Sequence, residues 1–365
     1  MSDLSRLLMR LALAAAALAG AAPARAGAFR NSAHGDQSVL PLACGSCHVG
    51  HGFPRTQMMA AIESRMCFQC HGDAAGRSVA RTKGLLVGGE ELANVAADFA
   101  KTSRHPLDLT GQAPRRAPLR RSTQAAGSLS SVSCSDCHDS HYMADPQGTV
   151  STAATQVKQI GNARHGPSPE HDLCYRCHGA AAGGGAGEVD VERLLRPANP
   201  SYHPVETTGR NPDVPSLIRP YTVQSVIACT SCHGSDAARG PGGPHGSTHA
   251  PILKAHYAAE SDRPETPYQY ALCYRCHSRT VLLNEAASGF RGHKEHIVEA
   301  RASCRACHNS HGSSRYSHLI DFDTRIVFAS RANGQLRFTD LGSRRGSCSL
   351  LCHDKDHDNE TYPDD

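Results

Sequence analysis

All sixteen cysteines fall in eight close pairs, and a histidine follows each pair directly. Seven have the form C-x-x-C-H: Cys44/Cys47 with His48, Cys67/Cys70 with His71, Cys134/Cys137 with His138, Cys174/Cys177 with His178, Cys229/Cys232 with His233, Cys273/Cys276 with His277, and Cys304/Cys307 with His308. The eighth, Cys348/Cys352 with His353, has one extra spacer residue. With 23 histidines in 365 residues, chance placement after all eight pairs has a probability of about 10⁻¹⁰, so pair and histidine act as one unit. Disulfides give no reason for the histidine, and tetrahedral zinc would take two such pairs per ion. Haem accounts for all three residues. Each thiol adds across one vinyl group, sulfur bonding one carbon and hydrogen the other, and the adjacent imidazole lies under the iron as proximal ligand.

On these motifs the chain resembles a multihaem c-type cytochrome of the doubled CxxCH kind, and the resemblance runs from His34 to His357. It implies eight covalent haem c groups, or seven if Cys348/Cys352 goes unused. It also implies a fold of mostly irregular loops with short α-helices laid on a chain of haems, with little β-structure.

The motifs alternate between two types, so the chain reads as four tandem two-haem modules. The first motif of each module has small or polar spacers. A second histidine follows three residues on at His51, His141 and His311, and in the third module a Gly/Pro loop delivers His245 instead. The second motif opens on an aromatic spacer at Phe68, Tyr175 and Tyr274. A further histidine precedes each module's first motif: His34, His105, His203 and His293. His105 and His203 stand before proline, which holds them extended.

These eight histidines, added to the eight proximal ones, equal the number needed for bis-histidine ligation at every iron. A histidine tethered three residues from a proximal ligand cannot easily reach the opposite face of that same haem, so it is expected to serve a neighbour. Seven others (His165, His171, His249, His256, His296, His318, His357) compete, with His296 an alternative to His293. His171 is expected at the surface or against a haem edge. Beyond residue 26 only Met58, Met59, Met66 and Met143 could replace histidine and raise a potential; bis-histidine haems are low-spin and of low potential.

The elements that carry these motifs must be sparse. Hydrophobic residues are 39%, aromatics 5% and Trp absent, while 33 Gly and 21 Pro interrupt the chain. That excludes an ordinary enzyme core. Residues 1–26 read as a secretory signal, with Arg6 and Arg10 before an apolar run and Ala24-Arg25-Ala26 as the cleavage site. Modules then span 27–100, 101–196, 197–288 and 289–365, the last with a hairpin and an acidic tail from Asp354 to Asp365. Thr56–Met66, Leu85–Ala100 and Glu188–Arg196 have short helical patterns. Residues 111–130 form a basic segment and Ala181–Gly187 a small-residue linker. Arg325–Phe328 and Gln335–Phe338 flank Ala332-Asn333-Gly334 as a hairpin signal.

The formal charge of +4 is too small and scattered for a nucleic-acid partner. With sixteen propionates the exported holoprotein would carry roughly −14. The expected function is electron relay between periplasmic or extracellular redox partners, by a carrier without catalytic residues and without a transmembrane segment. The rival readings are a multihaem reductase or oxidase of small nitrogen or sulfur compounds, and a subunit of an extracellular cytochrome filament or porin conduit.

Overall fold

Short helices, turns and three small sheets make up the computed structural model, which describes residues 32–50, 58–109, 131–138, 140, 170–179 and 190–362. The low content of regular structure follows from the composition, because Gly and Pro interrupt every run that could extend a helix. The expected signal, the basic segment, the small-residue linker, His51, His141 and His165 lie outside the described residues. No helix among the described residues is long and apolar enough to cross a membrane.

Helices α1 (Glu63–His71) and α2 (Ala74–Thr82) form a pair turned at Gly72. Asp73 caps α2 by accepting the Gly76 N–H at 2.7 Å. The helix expected over Leu85–Ala100 is reduced to α3 (Val95–Phe99), because Gly88 and Gly89 take φ of 68° and 83°, outside the right-handed region. Asn94 caps α3. Four-residue helices α4 (Cys134–Cys137), α7 (Cys229–Cys232) and α9 (Cys304–Cys307) each hold one cysteine pair. α5 (Glu170–His178), like α1, is longer and ends on its motif. α6 (Val191–Leu195) lies within the expected Glu188–Arg196 segment, and α8 (Arg279–Leu282) follows the sixth motif.

Two of the sheets are two-residue bridges between distant segments. β1 (Ser103–Arg104) pairs antiparallel with β3 (Gly246–Ser247), and β2 (Ser201–Tyr202) with β4 (Gly312–Ser313). The third sheet, β5 (Arg337–Gly342), β6 (Arg345–Cys352) and β7 (Lys355–Tyr362), is a meander. It departs from the expected hairpin. Residues 330–335 close a local turn, Phe328 bridges Leu351, and the strand after that turn pairs onward with β6. Gly342, Ser343 and Arg344, all with φ between 53° and 73°, make the reversal that the Asn-Gly signal suggested upstream. The acidic tail is likewise corrected: residues 355–362 form β7, with most of their charged side chains exposed.

Among the described residues, ten of the eighteen buried apolar side chains form three small groups, and each group touches a motif cysteine: Leu40, Ala80 and Leu86 beside Cys70; Ala258, Tyr270 and Ile297 beside Cys304; Ala302, Ala306, Val327 and Leu350 beside Cys307, Cys348 and Cys352. Ten serines are as buried as these residues, each a small polar group that must be hydrogen-bonded. A buried ionic cluster ties the first two modules to the third. Lys101 Nζ lies 2.5 Å from Asp98 and 2.6 Å from Asp236, with Ser235 Oγ donating to Asp98 at 2.9 Å. Lys101 and the Thr248 hydroxyl hold the Asp236 carboxyl well below the usual carboxylate range, against the cost of burial.

Candidate functional site

All sixteen cysteines are free thiols. One turn of helix places cysteines at i and i+3 on one face, and the chain leaves that turn extended, with ψ of 134°, 131° and 137° at His138, His233 and His308. Two of the short motif helices, α4 and α7, are closed locally. Ser133 and Asp136 form a capping box around α4, and Ser231 Oγ accepts the Ala228 N–H ahead of α7. A neighbour caps each again: Glu63, four residues before Cys67, accepts from the Ser135 N–H and hydroxyl, and Glu170, four before Cys174, does the same for Thr230 at 2.9 and 2.8 Å. The thiols of Cys67 and Cys134, of Cys174 and Cys229, and of Cys273 and Cys304 lie next to each other and interact. Cys47 and Cys70, Cys137 and Cys177, Cys232 and Cys276, and Cys307 and Cys352 are also within electrostatic reach. The eight pairs thus follow one another without a break.

The histidines meet in facing couples. Two imidazoles bound on opposite sides of one metal through bonds of about 2 Å have ring centroids about 6 Å apart. The ring centroids are 6.1 Å apart for His34 and His71, 6.2 Å for His105 and His178, 5.9 Å for His138 and His245, 6.3 Å for His233 and His311, 6.3 Å for His293 and His308, and 6.2 Å for His296 and His357. His203 lies within electrostatic reach of His277. Burial pushes His71, His245, His277 and His311 down to about 4 and His293 to about 3, which keeps them as neutral rings with a free lone pair, the form that binds a metal.

The second nitrogens are mostly fixed by the backbone, which orients the rings. His105 Nδ1 is 2.8 Å from the Pro244 carbonyl, His34 Nδ1 3.2 Å from that of Ser140, and His203 Nδ1 bonds that of Ser310. In each case the carbonyl belongs to the residue just before a downstream histidine of the next module (His245, His141, His311). His233 and His308 reach the carbonyls of Pro251 and His318, both at 3.0 Å, and His277 the Ser216 hydroxyl at 2.9 Å. His245 Nδ1 is buried without a hydrogen-bond partner.

Sequence reasoning missed the serine two residues before His34, His105 and His203. Ser103 Oγ accepts the Ile252 N–H and Ser201 Oγ the Leu319 N–H, both at 2.8 Å, and Ile252 and Leu319 are left-handed residues (φ 54° and 60°) beside the loop carbonyls that hold His233 and His308. The Ser-x-His spacing, present in three modules and absent before His293, is the signal that could have found them.

Other histidines are placed differently. His353 occupies the β6–β7 turn with φ 48°, 3.6 Å from Asp262, and faces no second histidine among the described residues, whereas His357 on β7 faces His296. His293 faces His308 rather than the eighth motif. His318 has both nitrogens engaged, by Asn211 and Asp340. His171 contacts Tyr175 and Asp172. His249 and His256 are 5.8 Å apart but perpendicular, at 84°, and Tyr268 covers the His256 face at 4.4 Å. His48 lies in the described residues, while His51 and His141 lie outside them.

Residues 39–76 match the protein family described as the doubled CXXCH motif. No curated protein and no solved structure matches the chain. The motif implies covalently bound haem c and electron transfer through it. The free thiol pairs, neutral imidazoles and about 6 Å ring separations fit such a group.

Proposed function

We propose that this chain is an exported octahaem c-type cytochrome, an electron carrier with bis-histidine, low-potential haems that relays electrons between periplasmic or extracellular partners. The observation that carries the reading is the set of facing histidine couples, each beside a cysteine pair, joined in one run by thiol-to-thiol contacts from module to module. Bound haem supplies the redox centre. The protein's own residues do the rest.

The cysteine pairs would anchor each haem and the facing, buried, neutral histidines would hold its iron, which supports a carrier over a reductase with an open site. The carbonyl acceptors on Nδ1 of His34, His105, His203, His233 and His308 fix the tautomer of those rings and raise their basicity, which would favour the ferric state and lower the potential of a bound haem. Crossing ligation ties the modules together. His245 of the third module faces His138 of the second, and His311 of the fourth faces His233 of the third, so a displacement in one module would be felt at the iron of the one before it.

Production of the holoprotein in a host that matures c-type haem tests the reading. The expected result is an intact mass of the chain plus eight haems, an all-low-spin ferric resonance spectrum, and reduced spectra unmoved by carbon monoxide. A chain without covalent haem would refute the cytochrome reading. One haem whose spectrum responds to a nitrogen or sulfur oxyanion would refute the carrier role in favour of a reductase.

A further inference from the structure

We infer that the haem anchored by Cys348 and Cys352 takes His357 and His296 as its two axial ligands, and that His353, the residue adjoining the second cysteine, is not a ligand. This rests on the reading that the cysteine pairs carry haem.

Four observations converge. His296 and His357 have ring centroids 6.2 Å apart with planes 25° from parallel, the same separation as the couples at the regular motifs. Their Nδ1 atoms are both engaged, His296 with the Gly292 carbonyl at 2.7 Å and His357 with Glu360 Oε2 at 2.7 Å. That leaves each Nε2 as the free nitrogen.

His296 sits on a single π-helical turn, Glu295–Glu299, where Ala300 N–H returns to the Glu295 carbonyl. Such turns cost stability and recur at functional sites. Phe290 braces the couple, 5.5 Å from the His296 ring and 4.5 Å from that of Tyr362.

The location is right for the eighth haem. His357 on β7 is paired with Leu350 of β6, which lies midway between Cys348 and Cys352. Cys348 and Cys352 lie together with Cys307 against the same small apolar group. Cys352 therefore stands toward Cys307 as Cys70, Cys177 and Cys276 stand toward Cys47, Cys137 and Cys232.

His353 is excluded by its backbone. At the regular motifs the histidine either ends a helix, as His71 and His178 do, or leaves a helical turn extended, as His138, His233 and His308 do, whereas His353 and Asp354 form a two-residue reversal between β6 and β7 with φ of 48° and 63°. Its ring is turned to Asp262. The extra spacer fits this change: a C-x-x-x-C pair on a strand no longer delivers the next residue to the haem face, and the neighbouring strand supplies a histidine instead.

The test uses the matured full-length holoprotein and the variants His353→Ala, His357→Ala, His296→Ala and His357→Met. The readouts are intact mass, the high-spin fraction by electron paramagnetic resonance, and the carbon monoxide difference spectrum. His353→Ala is expected to keep eight low-spin haems. His357→Ala and His296→Ala each turn one haem in eight high-spin and carbon monoxide-reactive; loss of that one haem, with His353→Ala retaining eight, reads the same way. His357→Met keeps the haem low-spin and raises one midpoint potential, which covers the case where the alanine variant fails to mature.

A high-spin haem in His353→Ala with none in His357→Ala overturns the assignment. So does a wild-type mass of seven haems with Cys348 and Cys352 free, which leaves the broader cytochrome reading standing. A chain with no haem at all would instead sink that broader reading.

Discussion

Replacing Gly246 by alanine tests whether His245 serves a haem of the preceding module. A Cβ added there would collide with the Asp98 carbonyl, lying 2.7 Å from its carbon and 3.3 Å from Arg104 Cβ. Carbon atoms rest about 3.5–4.0 Å apart, so the two chains must separate by at least about 0.8 Å. Asp98 cannot yield. It is 2% exposed, and its carboxylate is held by Lys101 at 2.5 Å and Ser235 at 2.9 Å. The displacement therefore falls on β3, one residue from His245, whose ring centroid is 5.9 Å from that of His138. Metal–nitrogen bonds tolerate only about 0.2 Å, so His245 is lost as a ligand while His138 stays. Ferric resonance spectra of the purified holoprotein should show one haem in eight become high-spin, with a matching carbon monoxide shift after reduction. Gly242→Ala is the control, because a Cβ at Gly242 meets nothing within 4 Å. A folded Gly246→Ala protein whose haems all remain low-spin would refute the ligation of one module by the next.

Three further outcomes follow from the same contacts. Lys101→Met leaves Asp98 and Asp236 buried without their cation and should lower stability by about 3–5 kcal/mol, measured by denaturant unfolding of the holoprotein. Arg325 holds Asp323 down to about 2, so this carboxylate stabilises the fold above the usual carboxylate pKa of about 3.9 and loses that contribution as pH falls toward 2; Arg325→Ala should therefore lower stability at neutral pH and have progressively less effect as pH falls from about 4 toward 2, measured by denaturant unfolding across that range. The planes of facing rings divide into near-parallel couples (His233/His311 at 1°, His296/His357 at 25°, His138/His245 at 26°) and crossed ones (His34/His71 at 72°, His105/His178 at 49°). Ring orientation sets the splitting of the iron d orbitals, so the ferric spectrum should contain both rhombic and strongly anisotropic low-spin signals, and a single uniform signal would contradict the geometry.

The cysteine pairs were legible because their chemistry is local, whereas the single turn of helix that holds each of Cys134–Cys137, Cys229–Cys232 and Cys304–Cys307 is too short to leave a periodic signal. The alternation of two motif types was legible because it too is local. What the spacing could not show is which distant segments meet. The antiparallel pairing of Ser103-Arg104 with Gly246-Ser247 joins residues far apart through two-residue strands that carry no periodic signal. The close approach of Gly246 to Asp98 is a property of a tertiary contact, invisible in a sequence where glycine is common. The C-terminal sheet was misplaced because Ala332-Asn333-Gly334 offers a strong local hairpin signal, while the actual reversal uses Ser343 and Arg344 in left-handed conformations that their residue types do not advertise. His353 illustrates the same limit. Adjacency to cysteine implies a ligand only while the backbone is helical at that point, and a strand with one more spacer changes where the next side chain points.

The repeat also accounts for why the last module departs from the others. In the second and third modules the first motif's histidine faces a histidine of the following module, and the second motif's histidine is reached from the segment just upstream. The two incoming histidines sit side by side on one bridge, His105 N–H bonding the His245 carbonyl and His203 N–H that of His311. The fourth module is arranged differently. Its upstream histidine, His293, lacks the Ser-x-His signature, is held by the Ser288 hydroxyl at 2.8 Å, and faces the first-motif histidine His308 instead. The final cysteine pair is then left without the upstream histidine that the earlier modules supply, and two histidines outside the repeat, His296 and His357, stand beside it. The three-stranded sheet that presents His357 thus brings a histidine from outside the repeat to the last cysteine pair.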